Sequence, residues 1–295
     1  MSLIMNKLAP FLFLFIWSSG AVVVKFGLQY ASVWSFLAAR SLVSMCCLIM
    51  LFWLYSYRKP SLIRSPSKTE LRRILVVGAL LQVCYLSFYF LAIDTGISPG
   101  LVTLILGLQP LLTPFLCKQQ VSRRQLALLL LGFLGLVISI YGAKDITQLA
   151  AYGVVFGIAA LFSITFGTVL QASIVSHVLL SAMCQSVLAT PILMGINVLV
   201  GGSIIWTPEF LISLVWMSVG VSVGALLLLM HMTKQDGASS VSVLFYAIPL
   251  LAYFFDYALF GTQISLLTIV GMFVVALAIV FYRRFPAEKV QRLAR

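Results

Sequence analysis

Charged residues, and acidic residues above all, are scarce in this chain. Seven Asp and Glu stand among 295 residues, and charged residues of all kinds make up 9% of the sequence. Hydrophobic residues account for 62%, and the mean hydropathy is +1.13. The longest polar segment, residues 56–73, is too short to form a water-soluble domain. A soluble globular fold is excluded because the chain has too little polar surface to cover one.

Metal-ligand spacings and catalytic pairs are also missing from the sequence. There are only two histidines, His177 and His231, both predicted at cytoplasmic helix ends, and the acidic residues form no pair inside an apolar stretch. We therefore predict no enzyme activity, no metal and no cofactor. The cysteines are odd in number and have no metal-ligand spacing: Cys46, Cys47, Cys84, Cys117 and Cys184.

The chain has instead a series of apolar runs of roughly twenty residues. A helix of that length matches the ~30 Å hydrocarbon layer of a bilayer, and within lipid only a helix satisfies its own backbone. The predicted fold class is all-α integral membrane, with ten transmembrane helices. They are predicted at 8–28, 33–56, 72–93, 98–117, 125–142, 150–170, 177–200, 210–231, 238–260 and 264–282.

The distribution of basic residues predicts the orientation of these helices. Sixteen of the nineteen Lys and Arg fall in alternate loops and in the two termini. The opposite loops contain only Lys144, while Lys25 and Arg40 lie within spans. Because cytoplasmic loops are enriched in Lys and Arg, both termini are predicted to be cytoplasmic. The net charge of +12 is accounted for by this placement of basic residues in cytoplasmic loops and termini. We therefore predict the lipid bilayer as the partner and no binding of nucleic acid.

The two halves of the chain are similar at a shift of 139 residues, which superposes Pro110 on Pro249 and Gly132 on Gly271. Matches of Pro and Gly are informative because each has a specific effect on the backbone. With five spans in each half, the second half enters the bilayer from the opposite side. This pattern predicts an inverted repeat, as in many secondary transporters.

Pro110 and Pro249 both fall at an informative depth, about 18 Å into their spans and close to the bilayer midplane. Each proline removes one helical hydrogen bond. Unpaired backbone at that depth persists only beside protein partners or a wet cavity. We interpret the two prolines as parts of the wall of a central pathway, and a tolerated kink is the alternative.

A set of motifs follows a definite order along nearly the whole chain, residues 8–284. The set comprises 17–20 (Trp-Ser-Ser-Gly) with Lys25, Arg40, 92–100 (Ala-Ile-Asp-Thr-Gly-Ile-Ser-Pro-Gly), Pro110, Gly132, 235–239 (Gln-Asp-Gly-Ala-Ser), Pro249 and Gly271. In order and spacing it resembles proteins of the drug/metabolite transporter superfamily that are built from two EamA domains. The resemblance implies ten helices, a central cavity between two five-helix repeats, and export or exchange of small metabolites, often amino acids.

The predicted domains are a first EamA repeat at 1–145, a second at 146–284, and a basic cytoplasmic tail at 285–295. The sequence departs from the family at one point. Members commonly carry Gly-Glu shortly after each conserved proline, whereas Gly261 is followed here by Thr262, and Arg123 occupies the corresponding place in the first half. No role of that glutamate is transferred to this chain.

Apart from Arg72 and Arg73 at the start of the third span, three charged residues lie within the predicted spans, where charge is costly and points to function. Arg40 lies about 10 Å below the outer end of the second span. Its planar fork suits a carboxylate on the substrate, and a structural pair inside the protein is an equal alternative. Lys25 lies near the outer end of the first span, and snorkelling to the interface is its simpler explanation. Asp256, at the outer level of the ninth span, is a candidate charge partner for either.

Polar aromatic residues are predicted to complete the substrate site. Gln82, Tyr85 and Tyr89 share one face of the third helix. Tyr246 and Tyr253 lie one turn before and one turn after the second conserved proline. A polar aromatic face within a membrane is typical of a cavity wall, and tyrosines in packing contacts are the alternative.

These observations predict a carrier in the cell inner membrane. Its cargo is predicted to be a small metabolite, an amino acid or another carboxylate-bearing compound, moved by alternating access with export or exchange favoured. No carboxylate falls at the midplane, which favours a facilitated or exchange mechanism over a proton-driven one. A lipid-carrier flippase or an uptake permease of the same fold are the alternatives. The oligomeric state, a homodimer included, is left open.

Overall fold

The computed structural model describes residues 3–58, 65–95, 97, 99–118, 121–142, 151–260 and 265–284. Helices account for nearly all of these residues. Within the described chain, β-type pairing is limited to an isolated antiparallel bridge between Ala31 and Ile204. The all-α prediction is confirmed for this part of the protein.

Helices cover the predicted spans of the first half. The fourth span is divided into two helices, so the described part of this half contains six. They are α1 (Leu3–Gly27), α2 (Val33–Arg58), α3 (Lys68–Asp94), α4 (Pro99–Leu106), α5 (Gln109–Leu116) and α6 (Arg123–Gly142).

The second half repeats this arrangement, and its fourth span is again interrupted. Here a single 3-10 turn, Val243–Tyr246, separates two helices. The helices are α7 (Ala151–Ala172), α8 (Val178–Val200), α9 (Pro208–Asp236), α10 (Ala238–Ser242), α11 (Ala247–Phe260) and α12 (Leu266–Arg284).

Length and surface composition identify a multi-pass membrane protein. In the described chain, α1 from Leu8, α2, α3, α7, α8 and α9 are long and apolar enough to cross a bilayer. Ala238–Ala252 and Leu266–Tyr282 are shorter apolar helical stretches. Large apolar side chains point outward, for example Phe11, which is 70% exposed, and Trp53, which is 64% exposed. Such a surface is stable in lipid and unstable in water. The count of ten crossings stays a prediction.

The fourth span of each half is interrupted next to its matched proline. α4 ends at Leu106, and α5 restarts at Gln109 with Pro110 in its first turn. In the second half, Pro249 is the third residue of α11. Proline has no N–H to donate, and its fixed φ suits the first turn of a helix, so a helix restarts readily there. The two interruptions occupy corresponding positions of the two halves.

The third span of each half contains a π-helical segment. These segments are Ala79–Cys84 in α3 and Trp216–Ala225 in α9. A π-helix bonds each N–H to the carbonyl five residues earlier, which widens the turn and changes the direction of its side chains. Such segments are frequent at functional sites, and both of these contribute to the cavity described below.

Helices of the two halves interlock. α2 packs along α8, and α6 packs along α12. α3 packs along α7, while α9, its counterpart in the second half, packs along α1. This set of contacts is unchanged when the two halves are exchanged, which is the pattern that a two-fold relation between the halves would produce.

The close approach of α6 to α12 requires glycine at position 271. A β-carbon there would lie 2.5 Å from the carbonyl oxygen of Gly135 and would also overlap Ser139. Ser139 Oγ donates to the carbonyl of Thr268, and Thr268 Oγ1 donates to the carbonyl of Ser139, both at 3.1 Å. We expect Gly271→Ala to destabilise the protein by about 1–3 kcal/mol through overpacking, measured as a lower unfolding temperature in detergent.

Gly195→Ala is the matched control for this prediction. Gly195 lies within α8, and nothing stands within 4 Å of an added β-carbon. Alanine is the better helix former, so the control should keep or raise the unfolding temperature. Equal losses in the two variants would show that the α6–α12 contact tolerates the extra methyl group.

Candidate functional site

A cavity of about 870 Å³ lies between the two halves of the chain. Its wall is formed by side chains of α1, α2, α3 and α4 from the first half, and of α7, α9, the 3-10 turn and α11 from the second. This volume includes space that is open to solvent. Each half of the chain contributes to the wall around it.

Arg40 on α2 supplies a positive charge to this wall. It is 4% exposed, and its Nε donates a hydrogen bond to Ser222 Oγ at 2.7 Å. Its guanidinium carbon lies 5.7 Å from the centre of the Phe90 ring, within the range of a cation–π contact. Among the described residues it has no acidic partner. A buried guanidinium in that situation attracts an anionic ligand.

The π segment of α9 positions Ser222 for its contact with Arg40. Ser222 Oγ donates to the carbonyl of Met217 at 3.0 Å, five residues earlier, and accepts from Arg40 Nε. One turn further along α2, the Ser44 hydroxyl lies 2.6 Å from the carbonyl of Arg40 and 3.2 Å from that of Ser218. These bonds join α2 to α9 at two levels and hold the arginine head group in place.

Aromatic side chains form the wall beside Arg40. Tyr85 and Tyr89 lie one helical turn apart on α3, with ring centres 5.9 Å apart. Trp17 stacks on Tyr85 at 6.4 Å and meets Phe245 edge-on at 5.9 Å. Such rings combine a large apolar surface with a few polar tips. This wall suits a ligand that has an apolar body and an ionised head group.

Gln82 adds an unpaired donor to the same wall. It lies three residues before Tyr85 on α3 and lines the cavity. Its Nε2 is buried and has no hydrogen-bond partner in the described part of the chain. A buried N–H without an acceptor is costly, so a ligand oxygen or an ordered water is expected to complete it.

Most of the predicted substrate residues meet at this cavity. Arg40, Gln82, Tyr85, Tyr89 and Pro249 all line it. They come from three helices of the two halves. α2 packs against α3 and α9, while α1 packs against α11, and these contacts bring the residues to one cavity.

Pro110 and Tyr246 are placed elsewhere. Pro110 is buried in the first turn of α5 and is not among the described lining residues. The Tyr246 hydroxyl donates to the carbonyl of Leu129 at 2.8 Å, and its ring packs in a separate cluster with Leu136 and Tyr282. Tyr246 therefore has the packing role that was the alternative to a place in the cavity wall, because its hydroxyl is directed to α6.

The other candidates lie at the edge of the site or outside the described residues. Lys25 is exposed in the last turn of α1, as interfacial placement requires. Tyr253 and Asp256 belong to α11, but their side chains lie outside the described residues, and so do Gly261 and Thr262. The pairing of Asp256 with Arg40 or Lys25 stays a prediction.

Several residues of the wall were not predicted from the sequence, among them Phe90, Phe245 and Ser222. Phe90 directly follows Tyr89, and Phe245 directly precedes Tyr246. A search that included every aromatic residue next to the predicted tyrosines would have found both. No sequence pattern marks Ser222, because its contact with Arg40 depends on the π register of α9.

Loops of the two halves are joined at the predicted outer end of the molecule. The N–H of Ile205 donates to the carbonyl of Tyr30 at 2.7 Å, next to the isolated bridge. Ser35 Oγ donates to Asn197 Oδ1 at 2.8 Å. Because α1–α2 and α8–α9 belong to different halves, these bonds hold the halves together at this end.

The halves are also joined at the opposite end, where the loop between α7 and α8 is bound from two sides. Glu70 Oε1 accepts from the N–H groups of Val175 and Ser176, at 2.8 and 3.0 Å. Lys234 Nζ donates to the carbonyls of the same two residues, at 2.7 and 2.9 Å. Glu70 precedes the apolar part of α3 in the first half, whereas the loop belongs to the second.

His177 caps α8 beside this loop. Its Nδ1 accepts from the N–H of Leu179 at 3.3 Å, and its ring stacks on Tyr55 with centres 4.7 Å apart. Burial lowers the pKa of His177, and the positive charge of Lys234 lowers it further. The ring is therefore neutral at pH 7, so Nδ1 can accept the capping bond. His231 lies within α9.

Residues 96–100, Gly-Ile-Ser-Pro-Gly, have the Gly-x-Ser-x-Gly spacing of a hydrolase nucleophile elbow. That motif places its serine at a turn between a β-strand and a helix. Here α3 precedes the segment and α4 begins within it, so the required context is missing. Within the described part of the chain, no group of three or more His, Cys, Asp and Glu is placed to hold a metal ion.

Comparisons with known proteins concern the family and the fold of this chain. Residues 7–141 match the EamA-like transporter family. A protein of Salmonella typhimurium (strain LT2) described as a "Probable amino-acid metabolite efflux pump" is 25% identical over 166 residues, which span 55% of this chain and 52% of that protein. The match thus covers about half the length of that relative.

A protein of known crystal structure has the same fold. It superposes with a TM-score of 0.77 over 94% of this chain and 98% of its own length, at 16% sequence identity. At that identity the likeness concerns the fold alone. Because it covers both halves, the second half of this chain takes part in the shared architecture as well as residues 7–141.

Proposed function

We propose that this member of the drug/metabolite transporter superfamily, with its EamA-like domain at residues 7–141, carries a small carboxylate-bearing metabolite across the cell inner membrane by alternating access. The similar proteins support a transporter rather than an enzyme. Export or exchange is the proposed direction, and the name of the Salmonella relative, an efflux pump, supports it.

The observation that carries this proposal is the buried guanidinium of Arg40 in a cavity between two halves of a membrane protein. A charge at that depth is costly and is retained where it meets a ligand or a partner. Ser222 occupies Nε, and that contact fixes the orientation of the guanidinium plane. A carboxylate on the cargo would pair with the planar fork of Arg40.

The architecture proposed for this carrier is two inverted repeats, residues 1–145 and 146–284, with ten crossings, cytoplasmic termini and a basic tail at 285–295. Three features support it: both halves have an interrupted fourth span, both have a π segment in the third span, and exchange of the halves preserves the helix contacts. In transporters of this kind, the substrate binds near the midplane between the repeats.

The ties at the two ends of the molecule support alternating access. The Tyr30–Ile205 bond joins the halves at one end, and Glu70 with the 175–176 loop joins them at the other. If the hydrogen bonds at one end break while those at the other end remain, the cavity is exposed to one side of the membrane at a time. By the positive-inside rule, the Glu70 end faces the cytoplasm.

Counterflow in proteoliposomes tests the proposal. Vesicles containing purified protein are loaded with one unlabelled metabolite, and uptake of the same labelled metabolite is followed for a panel of carboxylates, amino acids included. We expect transient accumulation of at least one carboxylate above the level in protein-free vesicles. Folded protein that shows no counterflow with any carboxylate of the panel, or that responds only to a lipid-linked substrate, would contradict it.

A further inference from the structure

The cavity wall has an uneven charge balance. Among its described residues, Arg40 carries the single charge, and the others are apolar, aromatic or neutral polar. Burial removes the guanidinium from bulk water, so a cargo that brings one negative charge offsets it. A monoanion leaves no further charge to be compensated.

A zwitterionic amino acid brings a second buried charge into the same wall. Its ammonium group has three N–H donors and needs acceptors or an anion. The ring face of Trp17 and neutral oxygens such as the Tyr89 hydroxyl can contact an ammonium, but without an anion they return only part of the hydration that it loses on burial. The described wall therefore favours a cargo that has no ammonium group.

Gln82 adds a requirement for an acceptor. Its Nε2 is buried, unpaired among the described residues, and part of the same wall as Arg40. A 2-oxo or 2-hydroxy oxygen beside a carboxylate can accept from this N–H group. An ammonium on the same carbon can only donate, so it leaves the Nε2 group of Gln82 without an acceptor.

We propose that the cargo is a monoanionic 2-oxo or 2-hydroxy carboxylate with an apolar tail, taken in preference to the corresponding amino acid. The carboxylate pairs with Arg40, the oxygen on the next carbon accepts from Gln82, and the tail lies against Trp17 and Phe245. This inference rests on the proposed function and narrows its substrate class.

Matched pairs of compounds test the inference in the counterflow assay. Phenylpyruvate is compared with phenylalanine, and 4-methyl-2-oxopentanoate with leucine, because the members of each pair share their tail and carboxylate. We expect initial counterflow of each oxo acid to be at least about tenfold faster, equivalent to ~1.4 kcal/mol. Equal rates, or faster amino acids, would overturn the inference and leave the proposed function standing. Absence of counterflow for all four compounds would also overturn it, and the wider panel decides the proposed function separately.

Gln82→Glu provides a second readout that does not depend on absolute rates. The change conserves size, replaces a donor by an anionic acceptor and offsets the charge of Arg40. We expect the ratio of oxo acid to amino acid to fall by about tenfold or more, with amino acid counterflow rising in absolute terms. Gln82→Leu, the control, should slow the oxo acid without accelerating the amino acid. An unchanged ratio in Gln82→Glu would overturn the role of Gln82. If the protein instead prefers amino acids and Asp256→Asn abolishes that preference, the ammonium binds at Asp256 and the inference is overturned.

Discussion

Arg40→Ala is expected to abolish counterflow of carboxylates while the protein still folds. Removal of one partner from a buried charge pair costs about 2–5 kcal/mol of binding, equivalent to a loss of roughly 30-fold or more. Within the described chain, the side chain's polar tie to the fold is the bond to Ser222, so its loss should leave the helix packing intact. Initial rates in proteoliposomes measure transport, and size-exclusion profiles and unfolding temperatures in detergent measure folding.

Two further variants separate charge from geometry at this position. Arg40→Lys keeps the charge but loses the planar fork, so we expect weak residual counterflow. Ser222→Ala removes the acceptor that orients Nε and should reduce transport less than Arg40→Ala does. Wild-type rates in Arg40→Ala would exclude Arg40 from substrate binding and would leave it a structural role.

A disulfide between positions 31 and 204 is expected to stop transport reversibly. Ala31 and Ile204 form an antiparallel bridge between loops of the two halves. Residues paired in this way have Cα atoms about 4.5–5.5 Å apart, within the range that a disulfide spans. If this end opens during the cycle, oxidation of Ala31→Cys/Ile204→Cys will hold it closed. We expect counterflow to fall to the level of protein-free vesicles and to return after reduction.

The disulfide experiment needs a background without the native thiols. Cys46, Cys47, Cys84, Cys117 and Cys184 are free in the structure and would be replaced by alanine. Each single-cysteine variant, treated with the same oxidant, serves as a control and should keep its activity. Full counterflow in the cross-linked protein would show that transport proceeds without separation of these loops and would contradict the proposed opening at this end.

Several elements of the fold could be predicted because their causes are local. A run of apolar residues long enough for the bilayer must be helical wherever it occurs in the chain, and the described helices lie over the predicted runs. Proline removes one helical hydrogen bond, so breaks beside Pro110 and Pro249 could be expected. Pro191, by contrast, lies within the continuous helix α8. The face shared by Gln82, Tyr85 and Tyr89 follows from helical periodicity alone.

Tyr246 shows where this reasoning stops. Spacing along the chain placed it one turn before Pro249, but Tyr246 is the last residue of a 3-10 turn, whose period differs from that of the α-helix assumed in the prediction. Its hydroxyl instead meets the carbonyl of Leu129, which is 117 residues away in sequence. Local periodicity could not distinguish a cavity residue from a packing residue, because the choice depends on which helix lies opposite.

Composition, run length and proline position, taken alone, determined that this protein is a bundle of membrane helices with a charge at depth. These properties act within one or two turns of the chain, so they can be read in one dimension. The site itself was decided by tertiary structure. Arg40 and Ser222 are 182 residues apart in sequence, and they meet because α2 packs against the π segment of α9. The cavity exists because helices from the two halves interlock around it, and that arrangement depends on surface shape over the whole bundle.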